Sequence, residues 1–253
     1  MLLAIAVENT RTLVGVLDGE TVVEHWLVST APARTADEWT VLLRGLVGSR
    51  PVTGVAVCSA VPRVLHELRD VGARSFADVP QVIVEPGIRT GLRLLVDNPR
   101  ELGADRIANA LAASQLYGAP CVVVDFGTAT TFDVVDRQGA YVGGAIAPGI
   151  EVSLEALGRS AAQLRRVELT RPRSVVAKNT VEALQSGAVF GFAGQVDGIV
   201  GRILAELGGD GGEVAVVATG ALAPVVIDEC RSVTKYEPLL TLRGLRIAFE
   251  RNR

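Results

Sequence analysis

Short apolar runs parted by polar turns make up most of the chain, and their order occurs twice. Alternating and β-branched stretches at 2–7, 12–17 and 21–29 predict three consecutive strands. Thr35 with Glu38 three positions later is a capping box, so a helix is predicted over 36–47. Residues 52–59 predict a strand, Pro62 opens a helix at its first turn, and 82–84 predict a short strand before Pro86-Gly87. A helix is then predicted from Pro99 to about Tyr117, stopped by Gly118. The second half follows the same plan. Strands are predicted at 121–125, 130–136 and 141–147, followed by helical sequence. A strand at 213–219, a helix beyond Ala223, a short strand near 232–235 and a helix from Thr241 complete it. The order β-β-β-α-β-α thus appears twice, which predicts a duplicated α/β protein divided near residue 115 into halves 1–115 and 116–253, with a ligand cleft between them.

Each half begins with an apolar strand that runs into a turn of small and hydroxyl residues. The first turn is Glu8-Asn9-Thr10-Arg11-Thr12 and the second is Gly127-Thr128-Ala129-Thr130-Thr131. Such a pair can hold a phosphate chain from two sides. A strand-end carboxylate holds a metal, glycine lets backbone N–H groups approach, and Thr hydroxyls donate to phosphate oxygens. The second turn has Asp125 and Gly127 for these tasks. The first has Ala6 and Glu8 in their places.

Composition narrows the rest. Hydrophobic residues are 49% of the 253 and aromatics only 4%, so the cores must be aliphatic. A mean hydropathy of +0.35 predicts apolar surface buried between subunits. The net charge of −3 and the pI near 5.5 give no general basic field for nucleic acid. Cys58, Cys121 and Cys230 have no metal-ligand spacing and read as reduced and structural. His25 and His66 have no nucleophile or carboxylate at motif spacing and read as ordinary residues. No leader is expected, because the N-terminal apolar stretch ends at Glu8, and no run is expected to reach the roughly 20 apolar residues of a membrane span. A cytoplasmic protein is expected. The helical stretch 180–207 carries Gly187, Gly191, Gly194, Gly198 and Gly201. Those glycines cost about 1 kcal/mol each in an exposed helix, and they predict close packing against another helix at a dimer seam.

Several segments together resemble the type III pantothenate kinases of the actin–hexokinase–Hsp70 ATPase superfamily. They are Arg34-Thr35-Ala36-Asp37-Glu38, Pro86-Gly87-Ile88-Arg89-Thr90-Gly91, Asp97-Asn98-Pro99 with Gly103-Ala104-Asp105-Arg106-Ile107, Val124-Asp125-Phe126-Gly127-Thr128-Ala129-Thr130-Thr131, Gly143-Gly144-Ala145-Ile146-Ala147-Pro148-Gly149 and Lys178-Asn179-Thr180. The resemblance implies two ribonuclease H-like halves with mixed sheets flanked by helices. It implies transfer of the ATP γ-phosphoryl to the pantothenate hydroxyl on the route to coenzyme A, with Mg²⁺ and with K⁺ or NH₄⁺. It further implies that Asp105 is the general base and that Gly103, Ala104, Arg106 and Thr180 contact pantothenate, Thr180 from the partner in a homodimer. Glu8, Asn9, Thr10, Thr12, Thr128 and Gly220 would line the nucleotide, and Asp125 would hold the monovalent cation.

The chain departs from that family's first phosphate loop, Asp-x-Gly-Asn-Thr-x-Thr, at two positions, Ala6 and Glu8. The absent Asp would organise Mg²⁺. Glu8 lies about 6.6 Å further along the strand, too far to take its place. Further departures are Ala221 after Gly220 and Val96 before Asp97-Asn98. Pantothenate kinase activity is therefore expected to be very weak or lost. The alternatives are a non-kinase protein that binds or senses a pantothenate-like ligand, and a catalyst that uses Asp105 on another small hydroxy or carboxylic acid.

Overall fold

The computed structural model describes residues 1–160, 167–208 and 214–253. In the first sheet, β1 (Leu2–Val7) pairs antiparallel with β2 (Arg11–Asp18), and β2 with β3 (Thr21–Ser29). On its other side β1 pairs parallel with β4 (Gly54–Ser59), and β4 with β5 (Gln81–Ile83), giving the order β3-β2-β1-β4-β5. Alternation sorts the two faces of this sheet. Leu3, Ile5, Val7, Val14, Val16, Val55 and Val57 pack on α1 (Ala36–Val47) and α2 (Pro62–Ser75) around fully buried Trp39. The opposite face carries small residues: Ala4 and Ala6 from β1, Gly54, Ala56 and Cys58 from β4, and Gly15 from β2. Their smallness admits α7 (Leu240–Asn252), since a Cβ on Gly15 would sit 2.5 Å from Leu242 Cδ1 and one on Gly54 2.1 Å from Phe249 Cζ. α3 (Ala104–Tyr117) meets α7 just as closely, with Gly244 against the Ala108 carbonyl and the Thr241 hydroxyl donating to Asn109 Oδ1 at 2.7 Å.

The chain divides into two compact units, Met1–Ala112 with Leu240–Arg253, and Ala113–Leu239. The last helix therefore packs in the first unit, whereas the reading by halves grouped it with the second. A two-residue strand, β6 (Arg93–Leu94), precedes α3.

In the second unit β7 (Cys121–Phe126), β8 (Ala129–Val135) and β9 (Ala140–Pro148) form an antiparallel meander. β10 (Ala215–Thr219) joins β7 in parallel, and β11 (Lys235–Tyr236) joins β10. Its core sets Val122, Val124, Phe126 and Phe132 against α4 (Ile150–Ser160), α5 (Thr180–Glu206) and the four-residue α6 (Ala223–Val226). Among the described residues the cysteines form no disulfide, and no three metal-ligating side chains cluster.

The capping box at Thr35 and Glu38 is present as expected, with the Thr35 N–H donating to Glu38 Oε2 at 2.8 Å. Two expectations need correction, one at Pro99 and one at α5. The helix from Pro99 is broken: Pro99–Glu101 is a 3-10 turn, and α3 begins only after Leu102-Gly103. At α5 the N-cap is Asn179, whose Oδ1 accepts from the Glu182 N–H at 2.9 Å, while Thr180 is the first helical residue. Finally, α5 is long and apolar enough by length and composition alone to cross a membrane, with a mean hydropathy of 1.3 over an 18-residue window, where no such run was expected. One side of it, Ala188, Val189, Ala193, Val196 and Val200, is a wall of the second core. The strand expected at 213–219 spans Ala215–Thr219; Glu213 lies outside the described residues.

Candidate active site

The two turns are built alike and closed differently. In the first, the Thr30 N–H donates to the Thr10 carbonyl at 2.9 Å; in the second, the Gly149 N–H donates to the Thr128 carbonyl at 3.1 Å. These bonds make Thr10 the counterpart of Thr128 and Thr30 that of Gly149. The closing pairs are Val7–Thr12 and Phe126–Thr130, so the first turn contains Glu8, Asn9, Thr10 and Arg11 and the second only Gly127, Thr128 and Ala129. The shorter turn has no room for a side chain behind it, because a Cβ on Gly149 would lie 2.4 Å from the Thr128 carbonyl oxygen. The longer turn accepts Thr30 there, and its hydroxyl donates to the Glu8 carbonyl at 2.8 Å and lies 2.7 Å from the Thr12 hydroxyl. Thr12 is fully buried on the face shared with Val7, so it holds the turn from within. Asn9 and Thr10 are exposed at the tip.

Glu8 follows Ala4 and Ala6 on the small-residue face of β1. Ala6 is 2% exposed and pairs across the sheet with Cys58 and Leu13, so the strand end where a metal-holding carboxylate would stand carries a methyl group. The Glu8 carboxyl is raised to about 7, first by burial and then by the neighbouring Asp105 carboxylate, with Arg11 opposing. Cys58 feels the same two carboxylates, and burial above all pushes its thiol well up, so it stays protonated. Asp105 occupies the first turn of α3, with its carboxylate folded back across the helix start: a Cβ on Gly103 would lie 2.4 Å from Asp105 Oδ1. Gly103, Ala104 and Arg106 adjoin it at the same helix end, a place that favours negative charge. The first unit thus brings Glu8, Arg11 and Asp105 together.

In the second unit the strand-end carboxylate is present. Asp125 is the penultimate residue of β7, beside its parallel partner Thr219, and Gly220 turns the chain over it. Gly220 has a φ of 94°, and a Cβ there would lie 2.5 Å from Asp125 Oδ1 and 2.7 Å from both the N and the O of Phe126. Only glycine fits. Gly220→Ala is therefore expected to lower stability by at least about 2 kcal/mol in urea unfolding, combining overpacking with a left-handed backbone.

Thr180 is exposed at the start of α5. The five α5 glycines fall at spacings of four and three residues, which is the seam of a heptad. A Cβ at Gly187, Gly191, Gly194 or Gly201 would meet nothing within 4 Å. A cavity of about 500 Å³ in the second unit, lined among others by Leu154, Leu157, Leu169 and Leu184, takes no residue from either turn.

Sequence reading alone missed the parts played by Thr30, Gly149 and Cys58. Gly149 carried a signal as the end of a glycine-rich segment. Thr30 carried none, since its role depends on which strand lies beside the turn.

The second turn fits a phosphate ligand with a cation at its strand end: it offers the Asp125 carboxylate, a Thr hydroxyl and glycines that admit close approach. The first turn does not fit magnesium triphosphate in the usual way. Its strand end has no carboxylate, and burial with the Asp105 carboxylate raises the Glu8 carboxyl to about 7.

Two sheets that each open with a strand, a hydroxyl-rich turn and a second strand make a fold seen in solved structures. Two such structures illustrate it. The polyphosphate/ATP-glucomannokinase of an Arthrobacter strain has a TM-score of 0.53 at 13% identity, covering 98% of each chain. Component A of the (R)-2-hydroxyglutaryl-CoA dehydratase of Acidaminococcus fermentans has a TM-score of 0.56 at 14% identity, covering 98% of this chain and 95% of that one. The chain belongs to the type III pantothenate kinase family, whose sequence profile it matches over residues 2–202. It is 59% identical to the type III pantothenate kinase of Streptomyces griseus, covering 100% of this chain and 98% of that protein. It is 60% identical to that of a Nocardioides strain, covering 99% of each.

Proposed function

We propose that this protein is a type III pantothenate kinase homologue in which ATP-dependent phosphorylation of the pantothenate hydroxyl is very weak or lost. The observation that carries this reading is the buried methyl of Ala6 at the end of β1, where the family has the metal-organising Asp. Phosphoryl transfer is mostly positioning and charge neutralisation, so one missing anchor costs on the order of 10²–10³ in rate. Glu8 matters less than its formal charge suggests, because burial and Asp105 raise its carboxyl to about 7 and so disfavour the charged form.

The acceptor side supports the family's chemistry. Asp105, fixed across the start of α3, is the proposed base for the pantothenate hydroxyl. Gly103, Ala104 and Arg106 are the proposed pantothenate contacts, with the Arg106 guanidinium suited to a carboxylate. On the nucleotide side, Asn9, Thr10, Thr128 and Gly220 are the proposed contacts, Asp125 is the proposed site for K⁺ or NH₄⁺, and Thr12 supports its turn from behind. The same combination of a kept acceptor side and an altered phosphate turn suits a protein that binds pantothenate without phosphorylating it.

The deciding assay supplies ATP, pantothenate, Mg²⁺ and K⁺. Turnover at least about 10²-fold below that of a family member with Asp and Gly at these positions is expected. Robust turnover by the unmodified chain would sink the proposal.

The open glycine seam on α5 supports a homodimer in which Thr180 of one chain serves the other. Gly194→Leu is expected to convert a dimer into a monomer in sedimentation analysis, because the side chain prevents the helices from approaching. A dimer unaffected by that change would place the interface elsewhere.

A further inference from the structure

In the second unit, the sheet face opposite Val124 and Phe132 carries a carboxyl group in the protein interior. Asp133 on β8 is fully buried, between its cross-strand neighbours Val123 on β7 and Gly144 on β9. Each of its oxygens receives a hydroxyl: Tyr141 donates to Oδ1 at 2.7 Å and Thr131 to Oδ2 at 3.1 Å. The glycines at 143 and 144 make room for this. The β8–β9 register shifts between Val134 and Val135, so Tyr141 lies opposite Val135 in place of Val142. That one-residue shift moves Tyr141 onto the face of Asp133. A Cβ on Gly144 would lie 1.6 Å from the Phe132 carbonyl oxygen, so only glycine fits beside the carboxyl. Burying a carboxylate is costly, and an apolar residue would serve the strand as well.

Thr131 joins this buried group to the phosphate turn. It leaves the turn on β8, directly across from Asp125 on β7 and on the same face as Asp133. Such a cross-strand pair has its Cβ atoms about 5 Å apart. Asp125 and Thr131 are both partly exposed, so an ion can reach them. A hydroxyl has one hydrogen and two lone pairs, and the hydrogen of Thr131 is taken by Asp133. Toward Asp125 its oxygen therefore offers only lone pairs. We propose that Asp133 is a positioning residue that fixes Thr131 as an electron-pair donor, so that Thr131 Oγ1 and the Asp125 carboxylate together hold a monovalent cation. The proposal rests on the reading of Asp125 as a cation site, and adds to it a second oxygen ligand and the group that orients it. A hard cation takes oxygen ligands, and an outward O–H hydrogen would repel it. The sequence pattern offers Thr131 as a donor to phosphate; its bond to Asp133 removes it from that part.

The test titrates the full chain with Tl⁺, a surrogate for K⁺, followed by thallium NMR, and reads the Thr131 hydroxyl proton separately. A bound Tl⁺ signal that K⁺ displaces is expected in the unmodified protein. Asp133→Asn should weaken Tl⁺ binding about 10–100-fold, because an amide N–H donating to Thr131 turns its hydrogen outward. Thr131→Val should weaken binding as much, and Thr131→Ser should keep it. Val123→Ala, which trims a buried neighbour of Asp133, should lower stability and leave the affinity unchanged. Unchanged affinity in Thr131→Val, or equal weakening in Val123→Ala, would overturn the proposal. An unmodified protein that binds no Tl⁺ overturns the reading of Asp125 and the cation half with it. The fixed hydroxyl is then judged alone. A slowly exchanging Thr131 hydroxyl proton that is lost in Asp133→Asn supports it, and one that exchanges at once in the unmodified protein overturns it.

Discussion

The double variant Ala6→Asp with Glu8→Gly is expected to phosphorylate pantothenate about 10²–10³-fold faster than the unmodified protein in the presence of Mg²⁺ and ATP. The gain has two sources. Asp at position 6 returns a carboxylate to the strand end, where it can organise a metal that accepts only one or two protein ligands beside phosphates and water. Glycine at position 8 removes a side chain that stands on the same strand face, next to Asp105. The single changes separate these effects. Glu8→Gly alone should raise activity little, because the anchor is still missing. Ala6→Asp alone puts a carboxylate at a position only 2% exposed, between Leu13 and Cys58. Without metal it should lower stability by about 1–3 kcal/mol, the cost of burying a polar group without a partner. Mg²⁺ with ATP should restore most of that loss, because a ligand that binds only the folded state stabilises it. Unmodified protein as fast as the double variant would show that Asp at position 6 is dispensable here.

Glu8→Gln should make the protein more stable at alkaline pH and leave it unchanged in acid. The Glu8 carboxyl sits at about 7 in the fold against 4.5 when unperturbed. A folded-state value above the unfolded one means that the folded protein binds the extra proton between those two values. Stability is then fully present below about 4.5, falls as pH rises through about 7, and stays low above it. Glutamine keeps the shape and never ionises, so the penalty at pH 8.5 is removed, on the order of 2–3 kcal/mol for a shift of this size. Urea unfolding at pH 8.5 and pH 5 measures it: the two proteins should differ clearly at the first and converge at the second. An equal gain at both pH values would mean that the glutamine acts through packing, not charge.

Much of this fold is legible in the residues because local chemistry and tertiary packing agree. The strand at Leu2–Val7, the capped helix at Ala36–Val47 and the Pro62 helix start stand where pattern and capping place them. The helix expected from Pro99 failed because the 3-10 turn that Asn98 caps ends at Leu102-Gly103, before α3 starts. The α5 helix begins at Thr180, where the expected helical stretch begins, with Asn179 as its cap. The missing strand-end carboxylate could also be read directly, since it needs only the alignment of two turns within one chain.

The sequence by itself determined that there are two similar strand–turn–strand units, that one carries Ala6 and Glu8 where the other carries Asp125 and Gly127, and that Asp105 stands in a family motif. Those are facts of residue type and spacing along the chain. Only the tertiary structure decided that Thr12 is held from behind by Thr30, that α7 returns to the small-residue face of the first sheet, and that burial and the Asp105 carboxylate raise the Glu8 carboxyl. The physical reason is range. Propensity and periodicity act over a few residues, whereas Glu8 and Asp105 are 97 positions apart (105 − 8) and meet only when a sheet and a helix pack. Burial then changes the chemistry of a side chain whose identity was never in doubt.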